Sequence, residues 1–213
     1  WAVENVKLWD INNPELYNLY VSFNGEDEYK VRFGFREVKF RKDGFYLNGK
    51  KIKIRGLNRH QSYPYVGYAM PENVQKADAD LLKYKLGVNL VRTSHYPNSV
   101  HFLDRCDEIG LLVFTEMPSW QFLGEGEWRE IYLDNVKRMV IRDRNHPSVI
   151  LWGVRVNEGL DCDEFYTETN KMARSLDNTR QTGGVRNMPF SHLLEDVYTM
   201  NDFIHSGGGV NLL

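Results

Sequence analysis

Between residues 52 and 200, short apolar runs alternate with amphipathic segments, and no other feature restricts the fold of this chain as strongly. The runs fall at 52–54, 88–93, 111–115, 149–154, 182–185 and 196–200. Between them, 72–86, 98–109, 127–144 and 163–176 repeat apolar residues at helical spacing: Val74, Ala77, Leu81 and Tyr84; Phe102, Cys106 and Ile109; Tyr132, Val136, Met139 and Val140; Phe165, Thr169, Met172, Ala173 and Leu176. Pro71 suits a helix entry, and Gly110 suits a left-handed helix end. Strands alternating with helices predict a parallel sheet built from βαβ units.

The run at 149–154, Val-Ile-Leu-Trp-Gly-Val, is continuously apolar, as a strand buried on both faces must be. A helix ends before it at Asn145-His146-Pro147, because proline cannot continue a helix and restricts its predecessor. The expected fold class is therefore α/β, a (β/α)8 TIM-type barrel. Such a barrel needs eight strands and typically ~250 residues, so about six strands make it incomplete.

The first 40 residues follow a different rhythm. Segments 19–23 and 29–35 alternate around the polar turn at Asn24-Gly25, and Trp9-Asp10-Ile11-Asn12-Asn13-Pro14 has loop chemistry. Two or three strands do not make an independent domain, so this part reads as the tail of a β-sandwich with upstream strands. Phe45-Tyr46-Leu47, Asn48-Gly49 and Lys50 to Ile54 form a hairpin signal, since Asn-Gly supplies the positive φ values of a type I′ turn. The tail at Ser206-Gly207-Gly208-Gly209 reads as loop.

Composition excludes some function classes. With 27 basic and 29 acidic side chains and a net charge of −2, nothing suits a nucleic acid or an anionic membrane surface. No apolar run reaches membrane-spanning length. Cys106 and Cys162 make no disulfide framework and read as free thiols. The chain begins at Trp1 and reads as starting within a domain, so the lack of a signal segment leaves cytoplasmic, periplasmic and secreted locations open. Aromatic residues, 13% of the chain, fit either a well-filled core or a cleft with stacking platforms.

Polar groups recur where these runs end: Asn58-Arg59-His60, Arg92-Thr93-Ser94-His95, Glu116 before Met117-Pro118-Ser119-Trp120, Asn157-Glu158, and Asn201-Asp202. Each alone is an ordinary loop hydrogen-bonder. Repeated at one end of successive parallel strands, they predict a shared polar cleft, and Glu158 is the first candidate for chemistry.

Two stretches are specific enough to name a resemblance. Asn89-x-Val91-Arg92-Thr93-Ser94-His95-Tyr96-Pro97 with Asp107-x-x-Gly110, and Asn145-His146-Pro147-Ser148-Val149-Ile150-Leu151-Trp152-Gly153-x-x-x-Asn157-Glu158, resemble the two signatures of glycoside hydrolase family 2. Phe33-Gly34-Phe35-Arg36, Leu47-Asn48-Gly49-Lys50 and Arg55-Gly56-x-Asn58-Arg59-His60 are similar to that family too. The resemblance implies that residues 1–40 end an immunoglobulin-like sandwich and 41–213 form the N-terminal and central part of the barrel. It implies a retaining β-glycosidase with a carbohydrate substrate, most nearly β-galactosidase-like, with β-glucuronidase and β-mannosidase as alternatives. Glu158 then corresponds to the general acid/base and Asn157 to a contact with the sugar 2-hydroxyl.

Retaining hydrolysis uses two carboxyl groups ~5–5.5 Å apart, one donating a proton and one attacking the anomeric carbon. The donor needs a raised pKa, for which an apolar wall at Trp152 and a nearby carboxylate are expected to provide. The resemblance also puts His60, Arg92, His95, Glu116, Trp120 and Asn201 at the substrate site. Arg92 could instead brace carboxylates, Glu116 could support rather than react, and Trp120 could stack on a sugar or close the core. The family's nucleophile is a glutamate after a seventh strand. Glu195, Asp196 and Asp202 lie in no such motif, so the 213-residue chain alone is expected to be inactive. No cofactor is expected. No metal is expected either, since 117–121 offers no carboxylate after Glu116. Phe203 stands where the family often has tyrosine. A non-catalytic sugar-binding or structural fragment, covered through homo-oligomerisation, is the reading from a different class.

Overall fold

The computed structural model describes residues 3–203. Six parallel strands make one sheet in chain order: β6 (Gly56–Arg59), β7 (Leu90–Thr93), β8 (Leu112–Glu116), β9 (Val149–Gly153), β10 (Gln181–Arg186) and β11 (Val197–Met200). Helices α1 (Glu72–Asp80), α2 (Val100–Ile109), α3 (Glu127–Asp143) and α4 (Asp163–Leu176) cross between successive strands as far as β10. The expected α/β barrel architecture is thus present as a six-stranded arc. β1 (Tyr17–Phe23) and β2 (Asp27–Phe33) form a separate antiparallel ribbon, and β3 (Val38–Arg41), β4 (Gly44–Leu47) and β5 (Lys50–Ile52) a three-stranded sheet.

Local chemistry sets the bounds of α2 and of the β4–β5 hairpin. The Ser99 hydroxyl caps α2 by accepting from the His101 N–H, and Gly110 ends it in the left-handed conformation. Asn48 and Gly49, at φ 51° and 76°, turn the β4–β5 hairpin as the sequence predicts.

The first barrel strand departs from expectation. Lys50–Ile52 pairs antiparallel with β4, and the barrel strand is Gly56–Arg59, pairing with β7. The alternating apolar arm resembled a strand, and it is one, but in the other sheet. Gly56 suits the true strand because a Cβ there would meet the Leu90 carbonyl oxygen at 2.6 Å.

The expected stripe of the first helix is also displaced. Ala77, Leu81 and Tyr84 are exposed and Val74 is half-buried, whereas Gln75, Ala79 and Leu82 are buried. Gln75 turns inward because its Oε1 accepts from Arg59 Nη2, and a π-helical turn at Leu81–Lys85 alters the helical phase. Helices α2 to α4 bury the predicted faces, with Met172 and Leu176 at the margin.

Two apolar clusters cover the sheet. Phe102, Val113, Val140, Trp152 and Phe165 belong to the cluster under the helices. Leu112, Phe114, Leu151 and Val185 join Trp9, Phe45 and Leu47 on the other face, so the three-stranded sheet packs against the barrel side of the arc. Burying these side chains contributes roughly 1.5–3 kcal/mol each. Cys106 is buried and Cys162 half-buried, and both are free. No helix among the described residues is long and apolar enough to cross a membrane.

The family-like Asp107 and His146 have a structural use. Asp107 accepts from His146 Nδ1 at 2.6 Å and from the Ser148 N–H at 3.1 Å, which fixes the entry to β9. Its backbone carbonyl accepts from Trp9 Nε1, while Arg32 of β2 binds Asp104 and Glu108 nearby. Asp104, Asp107 and His146 converge closely enough to suggest a metal site. Here the Arg32 guanidinium supplies the cation, so the group reads as an ion-pair strut.

Burial opposes protonation of His146, but the hydrogen bond and charge of Asp107 outweigh it and raise its pKa. A raised folded pKa gives stability that is full below the unfolded histidine value and is lost as pH rises through the folded one. Urea unfolding followed from pH 5 to pH 9 is therefore expected to show stability falling over that interval, with the fall much reduced in His146→Gln. An identical fall in the variant would assign it to other groups.

Candidate active site

The predicted polar residues gather at the carboxyl ends of the strands. Arg92 lies in β7 opposite Phe114, and Glu116 is the last residue of β8, opposite Gly153. A Cβ at Gly153 would meet Glu116 Cβ at 2.4 Å, so the glycine makes room for this carboxylate. Arg92 Nε donates to Glu116 Oε2 and Nη2 to Oε1, both at 2.9 Å, a bidentate pair. Arg92 Nη2 also donates to Asn157 Oδ1 at 2.6 Å. His95 Nδ1 lies 2.7 Å from Glu116 Oε1; a carboxylate only accepts, so this nitrogen carries the hydrogen.

Arg92, Glu116 and Asn157 are all buried. Arg92 thus braces Glu116 and Asn157, and both Glu116 oxygens are bound. Since Asn157 Oδ1 is committed to Arg92, its Nδ2 must be the donor end. That Nδ2 is buried and has no hydrogen-bond partner among the described residues.

Glu158 sits just beyond, in the left-handed conformation with φ 57°. A non-glycine residue held there carries local strain, which concentrates at functional sites. Its backbone N–H donates to the Val185 carbonyl of β10 at 2.8 Å, which aims the side chain. Glu158 Oε2 accepts from Trp120 Nε1 at 3.1 Å and Gln121 Nε2 at 3.2 Å, and Oε1 accepts from Asn201 Nδ2 at 2.6 Å.

The environment of Glu158 differs from the expected one. Burial acts to raise its pKa, yet the bonds from Trp120, Asn201 and Gln121 prevail and hold it below the usual carboxylate range. Trp152 supplies no apolar wall. A register shift between β8 and β9 sets Trp152 opposite Thr115, and its indole donates to Asp177 within the cluster under the helices.

The remaining residues line the rim. His60 is exposed, and its ring meets His95 edge-on at a centroid distance of 5.4 Å. Trp120 is 61% exposed, so it does not close the core. Gln121 was not foreseen; an amide after a tryptophan carries no recognisable signal. Among the late acids, Glu195 is buried against Arg186 and Arg155, and Asp196 binds Arg174 and Thr182. Both serve the fold. The further expectation at Ser206–Gly209 lies outside the described residues.

Comparison with known proteins identifies the family. Residues 38–204 match the model "Glycosyl hydrolases family 2, TIM barrel domain", and residues 1–36 match "Glycosyl hydrolases family 2". A β-galactosidase of Thermoanaerobacterium thermosulfurigenes is 60% identical over 96% of this chain and 29% of its own length. One from Thermoanaerobacter pseudethanolicus is 55% identical over 96% of this chain and 28% of its own. The solved β-glucuronidase of Parabacteroides merdae superposes with a TM-score of 0.85 at 34% identity, over 94% of this chain and 28% of that one. The chain thus spans under a third of the length of these relatives. With the barrel model matched across most of the sequence, the chain belongs to glycoside hydrolase family 2.

Proposed function

We propose that this chain forms part of a retaining β-glycosidase that hydrolyses β-galactosides, with Glu158 as its general acid/base. The observation that carries the reading is the Glu158 carboxylate, strained in its backbone and held by three N–H donors at the strand ends. The three N–H donors favour the ionised form of Glu158, and the charge of the second carboxylate beside it acts the other way and favours the proton. In the first step the protonated Glu158 gives its proton to the glycosidic oxygen while that second carboxylate attacks the anomeric carbon and the C–O bond breaks. In the second, Glu158 takes a proton from water, which attacks the same carbon and releases the enzyme carboxylate. The unpartnered Asn157 Nδ2 suits a hydrogen bond to the sugar 2-hydroxyl, a contact that strengthens toward the transition state.

Glu116 does not suit the nucleophile role, because Arg92 and His95 occupy its oxygens. A galactoside is favoured over a glucuronide by the name shared by two close relatives. Physically, a uronate carboxylate calls for a cation, and among the described residues Arg92 and Arg186 of the strand ends are already paired with Glu116 and Glu195. Residues 1–40 are read as the last strands of an immunoglobulin-like sandwich and 41–213 as barrel. The exposed Leu19, Val21 and Phe23 of β1 support this, since apolar side chains on a ribbon call for a covering sheet. Nitrophenyl β-galactoside, β-glucuronide and β-mannoside, tested with the full-length protein, should give the highest kcat/KM for the galactoside. A faster glucuronide would reverse the substrate assignment.

A further inference from the structure

The segment after β8 grips Glu158 from the side opposite β10. Gln121, like Glu158, has a positive φ, 58° against 57°. Its backbone N–H donates to the Asn157 carbonyl at 2.8 Å, and Trp120 and Asn157 form a parallel bridge. Its side-chain Nε2 then reaches Glu158 Oε2, which also takes the Trp120 indole N–H. One residue thus fixes both members of the Asn157–Glu158 pair, through its backbone and its side chain. Two strained non-glycine residues facing each other need surroundings that enforce them, and these bonds do so.

The hydrogen-bond inventory sharpens this. An ionised carboxylate has about four lone-pair sites, two per oxygen. Oε2 accepts two N–H groups and is full, whereas Oε1 accepts only Asn201 and keeps a site. A proton arriving at Glu158 can settle on Oε1 without displacing a donor. On Oε2 it would have to evict Trp120 or Gln121.

We propose that Gln121, acting with Trp120, is a positioning residue that occupies Oε2 and so makes Oε1 the oxygen that carries the catalytic proton. This rests on the acid/base reading of Glu158. Of the ionisable groups on the neighbouring elements, His95 after β7 acts on the Glu158 charge, while Glu116 of β8 is held by Arg92 and Arg186 of β10 is paired with Glu195. His95, Glu116 and Arg186 have their partners elsewhere among the described residues, so a change at the Gln121 side chain leaves those pairs in place.

The test is kinetic, on the full-length protein. Gln121→Met keeps the length of the side chain and removes the donor; Trp120→Phe removes the other donor to the same oxygen and keeps a ring. Each variant is assayed on aryl β-galactosides of graded leaving-group acidity and across pH. The expected result is a loss of about 10-fold in kcat/KM for poorly acidic leaving groups, the scale of one hydrogen bond to a charged group. Dinitrophenyl galactoside, which needs little proton donation, should lose far less. The basic limb of the pH profile should move to higher pH, since a carboxylate that loses a donor ionises less readily.

Equal losses on every substrate with an unmoved basic limb, in both variants, would mean that the segment only supports the fold, and the inference would fall. Glu158→Ala run in parallel separates the two levels. If it retains wild-type dependence on the leaving group, the acid/base assignment itself is wrong, and that result overturns both.

Discussion

Glu158→Gln is expected to reduce kcat/KM for β-galactosides with poor leaving groups by about 1,000-fold, within the range a positioned general acid supplies. Glutamine matches the shape of the side chain and cannot give up a proton. The surroundings make it a worse fit than its shape suggests. Three N–H groups from Trp120, Gln121 and Asn201 converge on a group that can accept everywhere. A carboxamide offers one oxygen and one NH₂, so at least one of these donors would face another donor. The best arrangement turns the amide oxygen to the Trp120–Gln121 pair and leaves the Asn201 amide to invert. Dinitrophenyl galactoside should suffer much less, because its leaving group departs without a proton. The basic limb of the pH profile, which reports the ionisation of Glu158, should disappear. Equal rate loss for good and poor leaving groups would falsify the acid role and would recast Glu158 as a binding residue.

What could be read in the sequence divides along physical lines. Helices α2, α3 and α4 and strands β7 to β10 were legible because each buries a continuous face, and apolar spacing records burial; β11, half-buried throughout, was legible from its β-branched and aromatic residues. β6 was misplaced because Gly56-Leu57-Asn58-Arg59 contains one apolar residue, while the neighbouring hairpin arm alternates well. The phase of α1 failed for a different reason. Gln75 is buried to satisfy Arg59, a partnership between polar residues that no hydrophobic pattern expresses.

The site followed the same rule. That Asn157, Glu158, Arg92, His95, Glu116 and Asn201 meet was legible because a parallel sheet carries its strand ends to one side. Their protonation chemistry was not recoverable, since it depends on which donors turn toward Glu158. Trp152 takes the face away from Glu158 because β9 carries one extra residue beside the Val113/Phe114 step, which apolar spacing does not reveal. Gln121 was invisible because its contribution rests on a positive φ and two hydrogen bonds.

Arg92→Ala should be the most damaging substitution for stability at the site. Its guanidinium and the Glu116 carboxylate are both almost fully buried, with side-chain exposures of 8% and 3%. Taking two ions from water is costly, and here the bidentate geometry and the His95 contact offset that cost. Removing the arginine leaves Glu116 in the interior with only a histidine to answer it. Breaking a buried pair from one side costs about 3–5 kcal/mol. Asn157 would lose the bond that holds its Oδ1, leaving its amide free to turn and its Nδ2 no longer directed. Stability and sugar binding should therefore fall together, whereas Glu158→Gln should affect rate with little loss of stability. Urea unfolding measures the first loss and KM for galactoside follows the second. Adding Glu116→Ala to Arg92→Ala should recover part of the stability, because the stranded carboxylate is then gone. A single Arg92→Ala variant within 1 kcal/mol of wild type would mean that water reaches Glu116 readily and that the bracing role assigned to Arg92 is wrong.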